Sequence, residues 1–232
     1  MQFRLKSALF TLACFATPLA AQVGSLPDKS PYKDLEEGQR FGLVAGLWNF
    51  GPDPVNVGPK GTVPVVGLRY DLALGGPAYL FVRSLSGSVS RNILDFEKHP
   101  AARLVGTKSS VLTDVDAGIT LALTGARTWH DLQPLVNFGV GMMFDAGDNA
   151  GDVSGFSLKP ALSLTMGTGL RWVTGPNSQL RADLSLYYWQ LKYPQNYHST
   201  DADPQAIYAT GNLSPWTTHT ALTVGWTWAS FR

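Results

Sequence analysis

Between Gln179 and Tyr193 the chain reads QLRADLSLYYWQLKY, with Leu180, Ala182, Leu184, Leu186 and Tyr188 apolar and Arg181, Asp183 and Ser185 polar. Side chains of a strand point alternately to opposite faces, so this segment has one apolar face and one charged face. The pattern recurs eight times along the chain. Strands of this kind, separated alternately by short turns and long loops, predict an all-β fold: an eight-stranded antiparallel up-and-down transmembrane β-barrel.

The N-terminus reads MQFRLKSALFTLACFATPLAAQ. Arg4 and Lys6 precede a short apolar run, Ala8 to Phe15, and Leu19-Ala20-Ala21 supplies small residues for cleavage. This is the pattern of a secretory signal peptide over 1–21, too short and wrongly flanked for a spanning helix. Cys14 is the sole cysteine and would leave with the signal. The mature chain would then have no disulfide and no thiolate metal ligand. Residues 22–40, with Glu36 and Glu37, read as a loose periplasmic leader, and 41–232 as the barrel. A net charge of +1 gives no general basic field for nucleic acid.

Eight strands are expected over 41–50, 62–74, 78–90, 111–123, 132–146, 156–173, 179–193 and 216–231. Gly75-Gly76-Pro77 and 174–178 are tight connections and 124–131 is moderate. The pieces 51–61, 91–110, 147–155 and 194–215 are longer. In bacterial barrels short turns are periplasmic and long loops extracellular, and an even strand count then puts both termini in the periplasm.

Parity assigns the faces. Leu158, Leu162, Leu164, Met166, Leu170 and Trp172 share one face, opposite Lys159, Ser163, Thr165 and Arg171. Val111, Val115, Ala117, Ile119 and Leu121 oppose Asp114 and Asp116. Leu132, Val136, Phe138, Val140 and Met142 oppose Gln133, Asn137 and Asp145. Leu222, Val224, Trp226 and Trp228 oppose His219, Thr223 and Thr227. The first and third strands do not separate this way.

A lipocalin-like barrel would carry its apolar face inside, a membrane barrel outside. Charge decides between them. The apolar faces of the clear strands carry almost none, Lys192 excepted, whereas a water-facing surface would be rich in Lys and Glu. A lipid-facing surface excludes charge, which costs ~2–4 kcal/mol at midplane. The lumen is therefore expected to hold Arg69, Asp71, Asp114, Asp116, Lys159, Arg171, Arg181 and Asp183 as a salt-bridge network that plugs it. On the apolar faces, Phe144, Phe156 and Trp216 at the loop ends and Tyr70, Trp172 and Trp228 at the turn ends are arranged like two interfacial aromatic girdles. With these features 41–232 resembles the small eight-stranded bacterial outer-membrane β-barrels, in architecture and without a family-specific motif. The C-terminal TALTVGWTWASFR is similar to their terminal assembly strand, but Phe231 is penultimate and out of phase with Trp226 and Trp228.

No catalytic or metal site and no cofactor is expected. Small barrels of this kind include lipid A deacylases and palmitoyltransferases, whose chemistry needs a His–Ser pair and an acid. His219 has no serine close by on its face, while His198-Ser199, beside Asp201 and Asp203, lies in a loop, as does His99; His130 lies in a turn. Asp145, Asp148, Asn149 and Asp152 do not match the EF-hand spacing for calcium. The expectation is a monomer with a plugged lumen and a structural or loop-mediated surface-binding role. Its partners would be outer-membrane lipids including lipopolysaccharide, and the barrel assembly machinery. The alternatives are a lipid-modifying enzyme and a narrow channel.

Overall fold

Among the described residues ten strands form, and the ladders of the eight long ones close on themselves. The computed structural model describes residues 30–35, 38–95, 97–146, 153–158, 160–197 and 212–231. In chain order the strands are β1 (Tyr32–Asp34), β2 (Gln39–Phe50), β3 (Gly61–Gly75), β4 (Ala78–Leu94), β5 (Leu104–Ala122), β6 (Arg127–Trp129), β7 (Leu132–Asp145), β8 (Ala161–Gly175), β9 (Ser178–Gln190) and β10 (Trp216–Phe231). The eight long ones pair antiparallel in the order β7-β5-β4-β3-β2-β10-β9-β8, and β7 pairs with β8, closing the barrel. Closure leaves no sheet edge, the only way strands can cross lipid with their backbone groups satisfied. Among the described residues no helix is long and apolar enough to cross a membrane.

The faces follow the parity of the sequence. On β9 Arg181, Asp183 and Ser185 are buried while Ala182, Leu184 and Leu186 are exposed. On β7 Phe138, Val140 and Met142 are exposed and Gln133 and Asn137 buried. The two strands whose faces the sequence did not separate are also resolved. β2 turns Phe41, Leu43 and Leu47 outward and Arg40, Val44 and Trp48 inward; β4 turns Leu80 and Val82 outward and Tyr79, Phe81, Arg83 and Leu85 inward. The exposed face is thus apolar on most strands, with a row of serines, Ser84 to Ser90, outward on β4, and the buried face carries the arginines and aspartates. That is a barrel built for lipid.

Four expectations are corrected. The 91–110 loop is mostly ladder: β4 and β5 pair as far as Leu94↔Leu104, and the connection is only 95–103, with a 3-10 turn at Pro100–Ala102. The leader is not all loose, because Tyr32–Asp34 pairs with Arg127–Trp129 inside the turn between β5 and β7. The strand expected over 156–173 starts only at Ala161, after Pro160, which has no N–H for a ladder. Phe156 and Leu158 therefore belong to a segment that folds into the barrel mouth. Phe156 is 1% exposed, in the core and not on a girdle. Finally, the β10–β2 register slips by one residue between Ala229 and Phe231, a bulge that accounts for the shifted phase of the C-terminus.

Leu184 is 55% exposed on β9 and is flanked by Leu222 and Thr168 in the ladders. Leu184→Arg is expected to destabilise the barrel by ~2–4 kcal/mol near midplane. Reversible urea unfolding in lipid vesicles, followed by tryptophan fluorescence, measures it. A cost near zero would contradict the outward, lipid-facing placement of this residue.

Candidate functional site: a lumen filled in two layers

Neighbouring strands alternate direction, so inward residues from all eight converge on one narrow space. Its turn-end half is an arginine–aspartate lattice. Arg69 Nε and Nη2 donate to both oxygens of Asp71 at 2.9–3.1 Å, and Nη2 also reaches Thr120 Oγ1 at 3.0 Å. Arg181 Nε meets Asp183 Oδ2 at 2.7 Å, its Nη2 meets Asp183 Oδ1 at 3.0 Å, and its Nη1 reaches Asp71 Oδ1 at 3.4 Å. Asn137 locks the two pairs together. Its Nδ2 donates to Asp183 at 2.9 Å, and its Oδ1 accepts from Arg181 Nη2 and Thr120 Oγ1, both at 2.7 Å. All of these groups are buried.

A second pair lies further along the lumen. Arg83 donates to both oxygens of Asp116, at 3.1 and 2.6 Å, and Thr165 Oγ1 donates to Asp116 at 3.0 Å. The ring of Phe81 lies between the pairs, with Arg69 4.3 Å and Arg83 5.8 Å from its centroid. Room for that ring comes from glycine. Gly118 and Gly139 oppose each other across β5 and β7, and a Cβ on Gly139 would sit 3.0 Å from Phe81 Cζ.

Of the residues expected in the network, Arg69, Asp71, Arg181 and Asp183 meet directly. Asp116 pairs separately with Arg83 on the far side of the Phe81 ring. Arg171 is buried but contacts no acid: its Nη1 donates to Gln133 Oε1 at 2.8 Å and its guanidinium stacks over Tyr79 at 4.5 Å. Asp114 is buried without a salt-bridge partner, and neither of its oxygens receives a hydrogen bond. Lys159 lies outside the described residues, as do Asp148, Asn149, Asp152, His198, Ser199, Asp201 and Asp203. Sequence reasoning missed Arg83, Asn137 and Thr120 as members. The i, i+2 spacing of Arg83 from the inward Phe81 and Leu85 was the available signal.

The loop-end half is mostly apolar, around one buried guanidinium, Arg91, which lies 5.5 Å from the Phe156 ring centroid, and the sequence did not predict it. Trp48, Phe50, Tyr187 and Trp189 pack edge to face or tilted at 5.4–6.4 Å between centroids. Val57, Leu85, Leu112, Met143, Phe156 and Tyr197 complete the cluster. Val57 belongs to the β2–β3 loop, which folds inward over the mouth. Asp53 organises that loop: its carboxylate accepts the N–H groups of Val55, Val57 and Gly58 at 2.6–3.2 Å, and Tyr193 Oη donates to it. Asn92 Nδ2 holds Asn56 O at 2.9 Å.

His219 lies against this cluster, 4.1 Å from Trp189 between centroids. Its Nδ1 accepts the Gly51 N–H at 3.1 Å, which leaves Nε2 to donate to Thr217 Oγ1 at 2.8 Å. Both ring nitrogens are thereby engaged, Nδ1 with the start of the β2–β3 loop and Nε2 with Thr217 of its own strand. Among the described residues no group of His, Cys, Asp and Glu could hold a metal ion.

The closed sheet, apolar outer face and charged lumen define a transmembrane β-barrel. A scan of protein-family models finds no match, and neither does a search of curated proteins. Solved structures do match. The chain is similar to Neisserial surface protein A, at 12% identity and TM-score 0.49, covering 86% of this chain and 97% of that one. It is similar to the N-terminal β-barrel domain of Pseudomonas aeruginosa OprF, at 12% identity and TM-score 0.43, covering 83% and 100%. It is similar to a major outer membrane protein of Thermus thermophilus, at 15% identity and TM-score 0.39, covering 82% and 100%.

Arg181→Leu strips Asp183 and Asn137 of their shared donor and leaves a carboxylate buried. Removing one partner of a buried pair is expected to cost ~3–5 kcal/mol. Arg181→Leu combined with Asp183→Leu should recover a large part of that loss. Unfolding midpoints of the single and double variants in the same lipid test this. A neutral single variant would show that Arg181 is not buried among acids.

Proposed function

We propose that the protein is a monomeric outer-membrane barrel of a diderm bacterium with a closed lumen. In this reading it acts as a structural element and as a scaffold for surface loops. The filled lumen carries this reading: a charged lattice across the turn-end half, an aromatic plug across the loop-end half, and the β2–β3 loop held inward by Asp53. Eight strands leave a lumen only about as wide as its own side chains, and here they occupy it. An ion on this route would have to break Arg–Asp pairs and then cross a wall of Trp48, Tyr187 and Trp189.

The signal-like N-terminus supports export, and the apolar belt supports residence in lipid, with lipopolysaccharide as the outer-leaflet neighbour and the barrel assembly machinery as the route of insertion. The turn ends face the periplasm in this reading. Trp228, Phe41 and Tyr70, which oppose one another in successive ladders, form one aromatic row there together with Trp172. Phe144 and Trp216 sit on the outer face at the other end. Aromatic side chains at these levels suit the two membrane–water interfaces.

Purified protein in planar bilayers is expected to give no large, steady conductance; a stable open state would refute the closed lumen. Topology is tested separately. An epitope tag placed within 198–211 should be labelled on intact cells, and one at Gly175-Pro176 only after permeabilisation. Labelling of the Gly175 tag on intact cells would invert the orientation.

A further inference from the structure

Where the charged layer of the lumen meets the aromatic one, polar groups are left over. The last bonded group on the charged side is Asp116, held by Arg83 and by Thr165 Oγ1 at 3.0 Å. β5 and β8 run in the same direction, since each is antiparallel to β7. Two residues nearer the loop end, on the same inward faces, stand Asp114 of β5 and Ser163 of β8, 1% and 0% exposed. Gly141 lies between Asp116 and Ser163 in the ladders, so no side chain of β7 separates β5 from β8 at this level. On β9 Tyr187 neighbours Thr165, and Trp48 packs against Tyr187 at 5.9 Å between centroids. Tyr187 and Trp48 are both fully buried.

None of these four side chains has its polar atoms satisfied. Both oxygens of Asp114, Ser163 Oγ, Tyr187 Oη and Trp48 Nε1 are buried and hydrogen-bond to no protein group. Folded proteins rarely leave such atoms bare, and a cluster of them around one space points to an occupant that pairs with them. The chemistry of the four selects it. A carboxylate accepts, an indole N–H only donates, and a hydroxyl does either. Arg83, Asp116 and Ser163 are the charged and polar groups around Asp114. Arg83 is already spent, with Nε and Nη2 on Asp116 and Nη1 on Ser185 Oγ at 3.3 Å. An anion here would face Asp114 with no spare cation beside it. A metal cation would face the Trp48 N–H and the Arg83 guanidinium. Water alone both donates to the carboxylate and accepts from the indole.

We propose that this junction is a binding site for ordered water, which donates to Asp114 and accepts from Trp48 Nε1, with Ser163 and Tyr187 as its lateral partners. A buried water typically makes about three hydrogen bonds to groups that otherwise lack them, and this set supplies them. The site explains how the lumen keeps a carboxylate that no arginine reaches. Slow exchange of this water rests on the closed lumen proposed above, with Trp48 and Trp189 on one side of it and the Arg83–Asp116 pair on the other.

Two measurements on the folded barrel test the site. A crystal structure at a resolution that shows ordered solvent should hold water density within hydrogen-bond reach of both Asp114 and Trp48 Nε1. Crystals soaked in rubidium or bromide salts should show no anomalous peak there; a peak would assign an ion and overturn the proposal, as would Asp114 bonded directly to its neighbours with no density between. In micelles, the Trp48 indole N–H should cross-relax with water with the sign of a long-lived contact. Asp114→Leu should abolish that signal, and Asp114→Asn, which keeps an acceptor, should preserve it. Tyr187→Phe should preserve it too, because loss there would trace the signal to the tyrosine hydroxyl and not to water. A signal unchanged in Asp114→Leu, or lost in Tyr187→Phe, overturns the proposal; if Asp114→Leu does not fold, the crystal density and the other two variants decide it. Water density at the site combined with rapid exchange upholds the site and refutes the closed lumen instead.

Discussion

Eight strands enclose a lumen with no room for bulk water, and the rest of the structure answers to that narrowness. Every second residue of eight long strands must be placed against side chains from the opposite wall. An arginine entering this space needs its acceptors within reach, which is why Arg69 and Arg181 each find an aspartate two residues along the same face. A ring entering it needs a missing side chain across the barrel, which is why Phe81 lies against Gly139. The lattice is held to one register by the same constraint. A slip of one residue in any ladder would turn Arg181 and Asp183 to lipid and Leu184 into the lattice.

The division of the lumen into layers has an electrostatic logic. Charges in a confined, poorly hydrated space are stable only as hydrogen-bonded pairs. The Arg69–Asp71 and Arg181–Asp183 pairs, tied by Asn137 and Thr120, satisfy this in the turn-end half. Near the loop end the strands give way to connections whose backbone groups also need partners. There an apolar cluster is easier to complete than a second lattice. Asp53 shows how: one carboxylate gathers three backbone N–H groups, so that Val55 and Val57 can be pushed inward without leaving donors bare.

How much of this could be read from the chain depends on contrast between faces. Where the outward face is Leu and Val and the inward face Arg, Asp and Ser, as on β9, parity alone placed every residue. On β4 the contrast is inverted: Ser84, Ser86, Ser88 and Ser90 point away from the lumen while Tyr79, Phe81, Leu85 and Val89 fill it. Alternation by polarity therefore reads wrongly there, and Arg83, the partner of Asp116, went unrecognised. The same cause shortened β4 and β5 on paper, since their distal parts are polar on both faces. Phe156 was misplaced for a different reason. Counting by twos across Pro160 carries the phase through a break in the ladder, and a segment folded into the mouth inherits the wrong side. The apolar plug was hidden because Tyr187 and Trp189 share a face with Arg181 and Asp183, and only the third dimension shows that the face changes character along its length.

This change of character gives the barrel a direction. A charge approaching from the loop end meets Trp48, Tyr187 and Trp189 with little to replace its hydration, an energetic wall as well as a steric one. A charge approaching from the turn end meets guanidiniums whose donors outnumber the carboxylates beside them. This asymmetry is what the proposed closed lumen rests on. The pairing of β1 with β6 adds to the same asymmetry, because it brings Lys33 and Asp34 to the rim of the turn-end opening.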